Sequence, residues 1–213
     1  MSPAWATGRT FGGTLALGTR PGLVVVDLQR GFTEPDGPLS CNAEAAVAAA
    51  HDLVEAAHRA KAPVWFTVIR YGPDEPLPLW SAKIPALEEL RAGRAAADLD
   101  PRLGHRPGDE VVVKRGASAV FGTDLVDRIR AHGVDTVLLC GASTSGCVRS
   151  TAVDLIQSDL PAVLVPEACA DRDAVQATAT LTDLTAKYCD VLRLPEALNL
   201  FAVKNNDTGD TGS

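Results

Sequence analysis

The chain has 213 residues, and its 20 basic and 27 acidic side chains give a formal net charge of −7. A chain of this length buries roughly 70% of its unfolded surface, so one domain can form its own core. Hydrophobic residues make up 46% of the chain and charged residues 22%, which excludes disordered, collagen-like and coiled-coil proteins. Because the net charge is negative and no long basic run occurs, nucleic acid and anionic membranes are disfavoured as partners.

The cysteines are widely spaced and odd in number, and they form no C-x-x-C pair. They are Cys41, Cys140, Cys147, Cys169 and Cys189. This usage is typical of a reducing compartment rather than of a disulfide framework or a zinc ribbon. No apolar run approaches the ~20 residues of a membrane span, and residues 1–18 lack the pattern of a signal peptide. We therefore expect a cytoplasmic protein.

Short β-branched runs alternate with longer alanine-rich stretches of helical periodicity along most of the chain. The predicted strands are residues 23–27, 64–69, 110–114, 136–140, 162–165 and 190–194. The predicted helices are residues 43–61, 125–132, 147–157 and 174–187. A proline-rich stretch, residues 72–85, is predicted to be a loop that lies over another part of the fold, with short helices near residues 86–90.

This alternation predicts an α/β protein, a three-layer α/β/α sandwich around a six-stranded, mostly parallel, Rossmann-like sheet. We assign residues 1–20 to an N-terminal extension and residues 21–204 to the single domain. Residues 205–213 lack large apolar side chains, so we predict a disordered tail there.

Chemically useful side chains follow three of the predicted strands. Asp27 ends the first strand, Lys114 ends the third, and the fourth leads through a short turn to Cys147. Functional crevices of open parallel sheets lie beyond the carboxyl ends of the strands, so the three side chains are expected to converge. Each residue alone has an ordinary explanation. Asp27 could simply be a polar residue that ends a strand, Lys114 could form a surface pair with Arg115, and Cys147 could be a small core residue. Their joint occurrence favours a site, because a buried Asp–Lys pair beside a thiol neutralises both charges.

The predicted position of Cys147 gives a reason for reactivity. A helix start and a neighbouring ammonium both favour the thiolate, and backbone N–H groups at the helix start can bind an oxyanion. These parts together are typical of acyl transfer. The four histidines, His51, His58, His105 and His132, are interpreted as surface or capping residues. Asp27 is therefore the candidate base.

No metal-binding spacing is evident. The chain has neither H-E-x-x-H nor Asp-x-His, and residues 141–146 lack the lysine of a phosphate-binding loop. We expect neither a metal nor a cofactor.

Three stretches carry a resemblance to a known family. They are residues 24–32 (VVVDLQRGF), 113–123 (VKRGASAVFGT) and 141–150 (GASTSGCVRS). Together they resemble the isochorismatase-like cysteine hydrolase superfamily over about residues 20–195. Within that superfamily, residues 144–149 (TSGCVR) and 170–172 (ADR) are most similar to the group of N-carbamoylsarcosine amidase and related amidohydrolases.

The resemblance implies a catalytic triad of Asp27, Lys114 and Cys147. It also implies a cis peptide bond between Ala142 and Ser143, which lets the N–H groups of Ser143 and Cys147 form an oxyanion hole. Arg172 falls where related amidases hold the substrate carboxylate, and an ion pair of Arg172 with a neighbouring aspartate is the alternative interpretation.

The sequence differs from two groups of the superfamily, and these differences narrow the reaction that we expect. Metal-using nicotinamidases of the superfamily carry Asp-x-His after the second strand, which is absent here, and isochorismatase proper lacks the cysteine that is present here. We therefore expect cleavage of a linear amide or ureido C–N bond in a small, carboxylate-bearing substrate, with release of ammonia through a thioester-type intermediate. The alternatives are an amide in a larger natural product, or a non-catalytic binding protein.

Four more residues are predicted to contact the substrate, and the pocket-wall aromatics among them could equally belong to the core. They are Phe32, Trp80, Phe121 and Thr144. The expected partner is a small-molecule substrate, and the resemblance implies a homo-oligomer, a dimer or a tetramer.

Overall fold

The structure, a computed structural model, describes residues 11–202. Its centre is a six-stranded, wholly parallel sheet in the order β3-β2-β1-β4-β5-β6. The strands are β1 (Pro21–Val26), β2 (Val64–Ile69), β3 (Glu110–Lys114), β4 (Thr136–Ala142), β5 (Ala162–Ala170) and β6 (Asp190–Val191). The helices are α1 (Arg30–Thr33), α2 (Glu44–Arg59), α3 (Leu125–Ala131), α4 (Arg149–Gln157), α5 (Ala174–Lys187) and α6 (Leu194–Ala202). Helices flank this sheet, which confirms the predicted three-layer α/β/α class.

The central strands are hydrophobic on both faces because helices cover both faces of a parallel sheet. Every residue of β1, β2 and β4 is buried. Helix α2 turns most of its alanines and the side chains of Val47, Leu53 and Val54 towards the core. From β1 the chain adds β2 and β3 on one side, and then β4, β5 and β6 on the other. The point between β1 and β4 is the switch point, where an open α/β sheet has its crevice.

The largest differences from the predicted elements lie in the C-terminal part of the domain. Strand β5 continues through Pro166 and Glu167 to Ala170, where the sequence suggested an end at residue 165. Strand β6 stops at Val191, and Leu194 begins α6, with Pro195 in the first turn, where the missing proline N–H is not needed. The predicted strand at residues 190–194 was therefore too long, and the sequence analysis missed both α6 and the short helix α1.

The part of the predicted N-terminal extension that the structure describes is tied to the domain. The amide of Gly12 donates to the Ala186 carbonyl, and the amide of Leu15 donates to the Asp190 carboxylate. The amide of Gly18 donates to the Thr136 hydroxyl. The predicted tail, residues 205–213, lies outside the described residues. Within residues 11–202, no helix is long and apolar enough to cross a lipid bilayer.

Candidate active site

The three predicted catalytic side chains meet at the carboxyl ends of β1, β3 and β4. Asp27 directly follows β1, Lys114 is the last residue of β3, and Cys147 lies in the turn after β4. Asp27 is fully buried, Lys114 is 1% exposed and Cys147 is 3% exposed. The Lys114 ammonium lies 2.7 Å from Oδ2 of Asp27. The alternative of a surface pair between Lys114 and Arg115 is therefore wrong.

The ammonium of Lys114 is held by several partners. Besides its contact with Asp27, it donates hydrogen bonds to the carbonyls of Gly116 and Ala117, each 2.8 Å long. Burial opposes the charged amine, but the charge of Asp27 and the nearby thiol of Cys147 outweigh it, so the pKa of Lys114 lies above its usual value. Lys114 is therefore an ammonium at neutral pH.

The carboxylate of Asp27 is fixed by a residue that the sequence analysis missed. The hydroxyl of Thr67, on β2, donates to Oδ1 of Asp27 at 2.7 Å, and the Asp27 amide contacts the same hydroxyl at 3.3 Å. Oδ2, beside Lys114, is buried and takes part in no hydrogen bond of regular geometry within residues 11–202. This oxygen can accept a proton. Asp27 also has a positive φ of 49°, a strained conformation that the neighbouring strands hold in place.

Replacing Thr67 with valine tests this positioning role. Valine has a similar shape but no hydroxyl, so Oδ1 of Asp27 loses its donor and the carboxylate is less well oriented. We expect kcat to fall about 10- to 100-fold with little change in KM. Steady-state kinetics of Thr67→Val and Thr67→Ser would measure this fall in kcat. Serine keeps the hydroxyl, so Thr67→Ser should retain most of the activity. Equal losses in both variants would contradict the positioning role.

The nucleophile turn depends on a glycine at the end of β4. Gly141 has φ of 132°, and a Cβ at this position would lie 2.0 Å from the carbonyl oxygen of Val26 on β1. The next peptide bond, between Ala142 and Ser143, is cis. The chain then enters one wide helical turn, Thr144–Val148, which continues directly into α4. The helix thus begins three residues earlier than the predicted start at residue 147.

Backbone hydrogen bonds set the direction of the N–H groups in this turn. The Ser143 carbonyl accepts hydrogen bonds from the amides of Gly146 and Val148. The hydroxyl of Thr151 donates to the Cys147 carbonyl at 2.7 Å and fixes the nucleophile's own peptide unit from α4. The same hydroxyl accepts a hydrogen bond from the amide of Ala119, which ties the turn to the loop after β3.

A cavity of about 510 Å³ opens above Cys147. Its walls include Phe32 and Trp80 among the predicted aromatic residues, and Arg172 also lines it. The proline-rich stretch contributes Trp80, Lys83 and Ile84, so part of the predicted covering loop forms one wall. Lys83 was not singled out from the sequence, because a lysine in a proline-rich stretch carries no motif.

Two of the predicted substrate contacts do not belong to the lining of this cavity. Phe121 is 79% exposed and is not among the residues that line this cavity. Thr144 is buried, and its hydroxyl donates to the Ala170 carbonyl, so it braces the turn against β5. Its neighbour Ser145 lines the cavity instead. Sequence spacing cannot separate these cases, because adjacent residues of a turn point in different directions.

Arg172 does not form the alternative ion pair with its neighbouring aspartates. Its guanidinium donates to the Leu39 carbonyl at 3.2 Å and contacts the sulfur of Cys41 at 3.6 Å. The carboxylate of Asp171 instead accepts hydrogen bonds from the backbone amides of Ser145 and Arg172. The carboxylate of Asp173 accepts hydrogen bonds from backbone amides in the first turn of α5. The positive charge of Arg172 is therefore available to a ligand.

Burial favours the protonated form of the Cys147 thiol. It raises the pKa of the thiol to about 12, while the ammonium of Lys114 lowers the pKa and the charge of Asp27 raises it. The direction of this shift opposes the resting thiolate that the sequence argument expected from the helix start and the ammonium. Because the thiol is within hydrogen-bonding reach of Asp27, its proton can move to the carboxylate as the sulfur reacts.

The buried thiols also predict how stability depends on pH. Burial raises the pKa of Cys41 to about 11, and that of Cys147, Cys169 and Cys189 to about 12, from an ordinary value of 9.0. Above pH 9 the unfolded chain releases these protons while the folded chain keeps them, so stability falls as pH rises, by up to about 1.4 kcal/mol per pH unit per thiol. Urea unfolding between pH 8 and pH 10.5 should show a free energy of unfolding that falls more steeply as the pH rises. A free energy of unfolding that stays constant over this range would contradict the prediction.

Within residues 11–202, no three His, Cys, Asp or Glu side chains are grouped so as to hold a metal ion. None of the four histidines lines the cavity. His132 closes α3, as expected, with its ring contacting the Arg128 carbonyl, and His58 contacts Asp109.

The family model for the isochorismatase domain matches residues 21–196 of the chain. The protein belongs to the isochorismatase family. A maleamate amidohydrolase from Pseudomonas putida is 35% identical over 191 residues, covering 88% of this chain and 90% of that protein. An N-carbamoylsarcosine amidase from Arthrobacter sp. is 31% identical over 191 residues, covering 86% of this chain and 72% of that protein.

Among solved structures, a cysteine hydrolase from Pseudomonas syringae pv. phaseolicola superposes with a TM-score of 0.83. The alignment covers 90% of this chain and 99% of that one at 22% identity. This similarity concerns the fold, and it agrees with the resemblance found in the sequence.

Proposed function

We propose that this isochorismatase-family protein is a cysteine-dependent amidohydrolase that cleaves a linear amide or ureido C–N bond and releases ammonia. The observation that carries the proposal is the buried cluster of Asp27, Lys114 and Cys147 beneath a cavity that also contains Arg172. The similarity to a maleamate amidohydrolase and to an N-carbamoylsarcosine amidase supports this class of bond.

The first half of the reaction forms an acyl-enzyme. Oδ2 of Asp27 takes the proton of the Cys147 thiol as the sulfur attacks the substrate carbonyl carbon. The N–H groups of Ser143 and Cys147 donate to the oxyanion that forms on the carbonyl oxygen. The C–N bond then breaks, Asp27 returns the proton to the leaving nitrogen, and ammonia departs. A thioester remains, or a carbamoyl thioester if the substrate is a ureido compound.

The second half returns the free thiol. Asp27 takes a proton from a water molecule, whose oxygen attacks the thioester carbonyl, and the sulfur leaves and recovers the proton from Asp27. Lys114 stays charged throughout, and its ammonium stabilises whichever of Asp27 and Cys147 carries negative charge. The product of an amide is a carboxylate, and the product of a ureido substrate is a carbamate that decomposes to carbon dioxide and an amine.

Arg172 is proposed to bind a carboxylate of the substrate. Its guanidinium lines the cavity and carries a charge that no carboxylate side chain in the described part of the chain neutralises. A local cation is needed because the net charge of −7 opposes the approach of an anion.

The proposal is tested by measuring ammonia release from a panel of N-carbamoyl amino acids, maleamate and related monoamides, with matched uncharged amides. We expect turnover of at least one carboxylate-bearing compound and none of its uncharged analogue. Arg172→Met should raise KM for the active compound about tenfold or more with a smaller effect on kcat. Turnover of none of these compounds by a folded protein would overturn the proposal in favour of a binding role.

A further inference from the structure

Lys83 is a second cation of the cavity with no protein partner. It directly follows the helical turn Leu79–Ala82 and lines the same cavity as Cys147 and Arg172. Within residues 11–202 its ammonium forms neither an ion pair nor a hydrogen bond. Three acidic side chains nearby in sequence are already paired: Glu75 with Arg115, Glu88 with Arg91, and Glu89 with Arg94.

Lys83 and Arg172 reach the cavity from different segments of the chain. Lys83 lies on the segment after β2, whereas Arg172 follows β5. Strands β1 and β4, which lead to Asp27 and Cys147, lie between β2 and β5 in the sheet. Neighbouring strands are about 4.8 Å apart, so the two segments leave the sheet from strands roughly 14 Å apart. The two cations therefore belong to separate parts of the cavity wall.

The remaining lining of the cavity leaves these charges uncompensated. Its other side chains are apolar, small or hydroxyl-bearing, and none of the described lining residues is acidic. A protein with net charge −7 thus exposes two free cations in one cavity. The ligand that best complements this arrangement carries a negative charge for each of the two cations. The volume of about 510 Å³ has room for such a ligand.

We propose that the substrate is a dianion: a ureido or amide compound with one carboxylate bound by Arg172 and a second anionic group bound by Lys83. This inference rests on the proposed function, because it concerns the same cavity. Lys83 is a specificity-determining residue in this scheme, and it takes no part in proton transfer or in bond cleavage.

The test measures binding separately from catalysis. Isothermal titration calorimetry on the Cys147→Ala protein compares N-carbamoylaspartate with its β-methyl ester, which has nearly the same shape but a single negative charge. We expect the dianion to bind about fivefold more tightly than the ester, since an exposed charge pair contributes up to about 1 kcal/mol. Adding Lys83→Met should remove that preference and leave the affinity for the ester unchanged. Adding Arg172→Met should weaken both ligands.

The matched control is Lys61→Met in the same Cys147→Ala background. Lys61 is exposed in the turn after α2 and does not line the cavity, so the same loss of charge there should preserve the preference. Equal affinities for dianion and ester, or equal weakening of both by Lys83→Met, would overturn the proposal. Failure of the proposed function would instead appear as ammonia release by Cys147→Ala, or as no turnover by the parent protein.

Discussion

Replacing Cys147 with alanine is expected to lower ammonia release by about four orders of magnitude or more, because it removes the sulfur that forms the acyl-enzyme. The side chain is small and 3% exposed, so the fold should remain intact. Steady-state kinetics on a substrate found in the panel, together with circular dichroism, would measure both properties.

The matched control for this change is Cys189→Ala. Cys189 is also 3% exposed, but it precedes β6 and does not line the cavity. Cys189→Ala should cost a similar amount of stability and retain activity. Ammonia release by Cys147→Ala at a rate close to that of the parent would exclude covalent catalysis at this residue.

Replacing Lys114 with methionine is expected to cause the largest loss of stability among the site variants, about 3 to 5 kcal/mol. The change leaves the carboxylate of Asp27 buried without its positively charged partner. It also removes the hydrogen-bond donor to the carbonyls of Gly116 and Ala117. For a chain of this size the melting temperature should fall by about 10 °C. Activity should be lost as well.

A double-mutant cycle separates the ion pair from the general cost of changing a buried residue. Asp27→Asn alone leaves the Lys114 ammonium buried without its counterion, so it should also be destabilising. The double variant Asp27→Asn with Lys114→Met buries no charge at this point, and we expect it to be more stable than Lys114→Met alone. Additive losses of stability in the double variant would contradict the coupling. Lys61→Met again provides an exposed control, with an expected change within about 0.5 kcal/mol.

The sequence predicted the parts of the fold that depend on regular hydrophobic patterns. The buried runs of β2 and β3 and the helix at residues 174–187 have the predicted boundaries, because their apolar periodicity ends abruptly at polar or proline residues. Strand β5 was underestimated because Pro166 and Glu167 interrupt its apolar run, although the strand continues past a register shift in its pairing with β4.

Site residues that lie at the ends of strands could be predicted from the sequence. Site residues whose position depends on how side chains and loops pack could not. Asp27 and Lys114 could be placed together because parallel strands end at the same edge of a sheet. Thr67 could not be found, because a threonine within a hydrophobic strand is also an ordinary β-former. The exposure of Phe121 and the position of Lys83 at the edge of the cavity depend on how long loops fold over the sheet, which local sequence patterns do not predict.

The protonated state of Cys147 has a consequence for resistance to oxidants. Peroxides and simple alkylating reagents react with thiolates, and a thiol whose pKa is about 12 presents almost none at neutral pH. Iodoacetamide should therefore label this residue slowly, although it is the proposed nucleophile. Electrophiles that carry an amide or ureido group together with a carboxylate should react with it much faster, because their binding brings the carbonyl carbon to the sulfur while Asp27 is ready to take the proton. Inactivators built on this principle would select this cysteine over more exposed and more acidic thiols of other proteins.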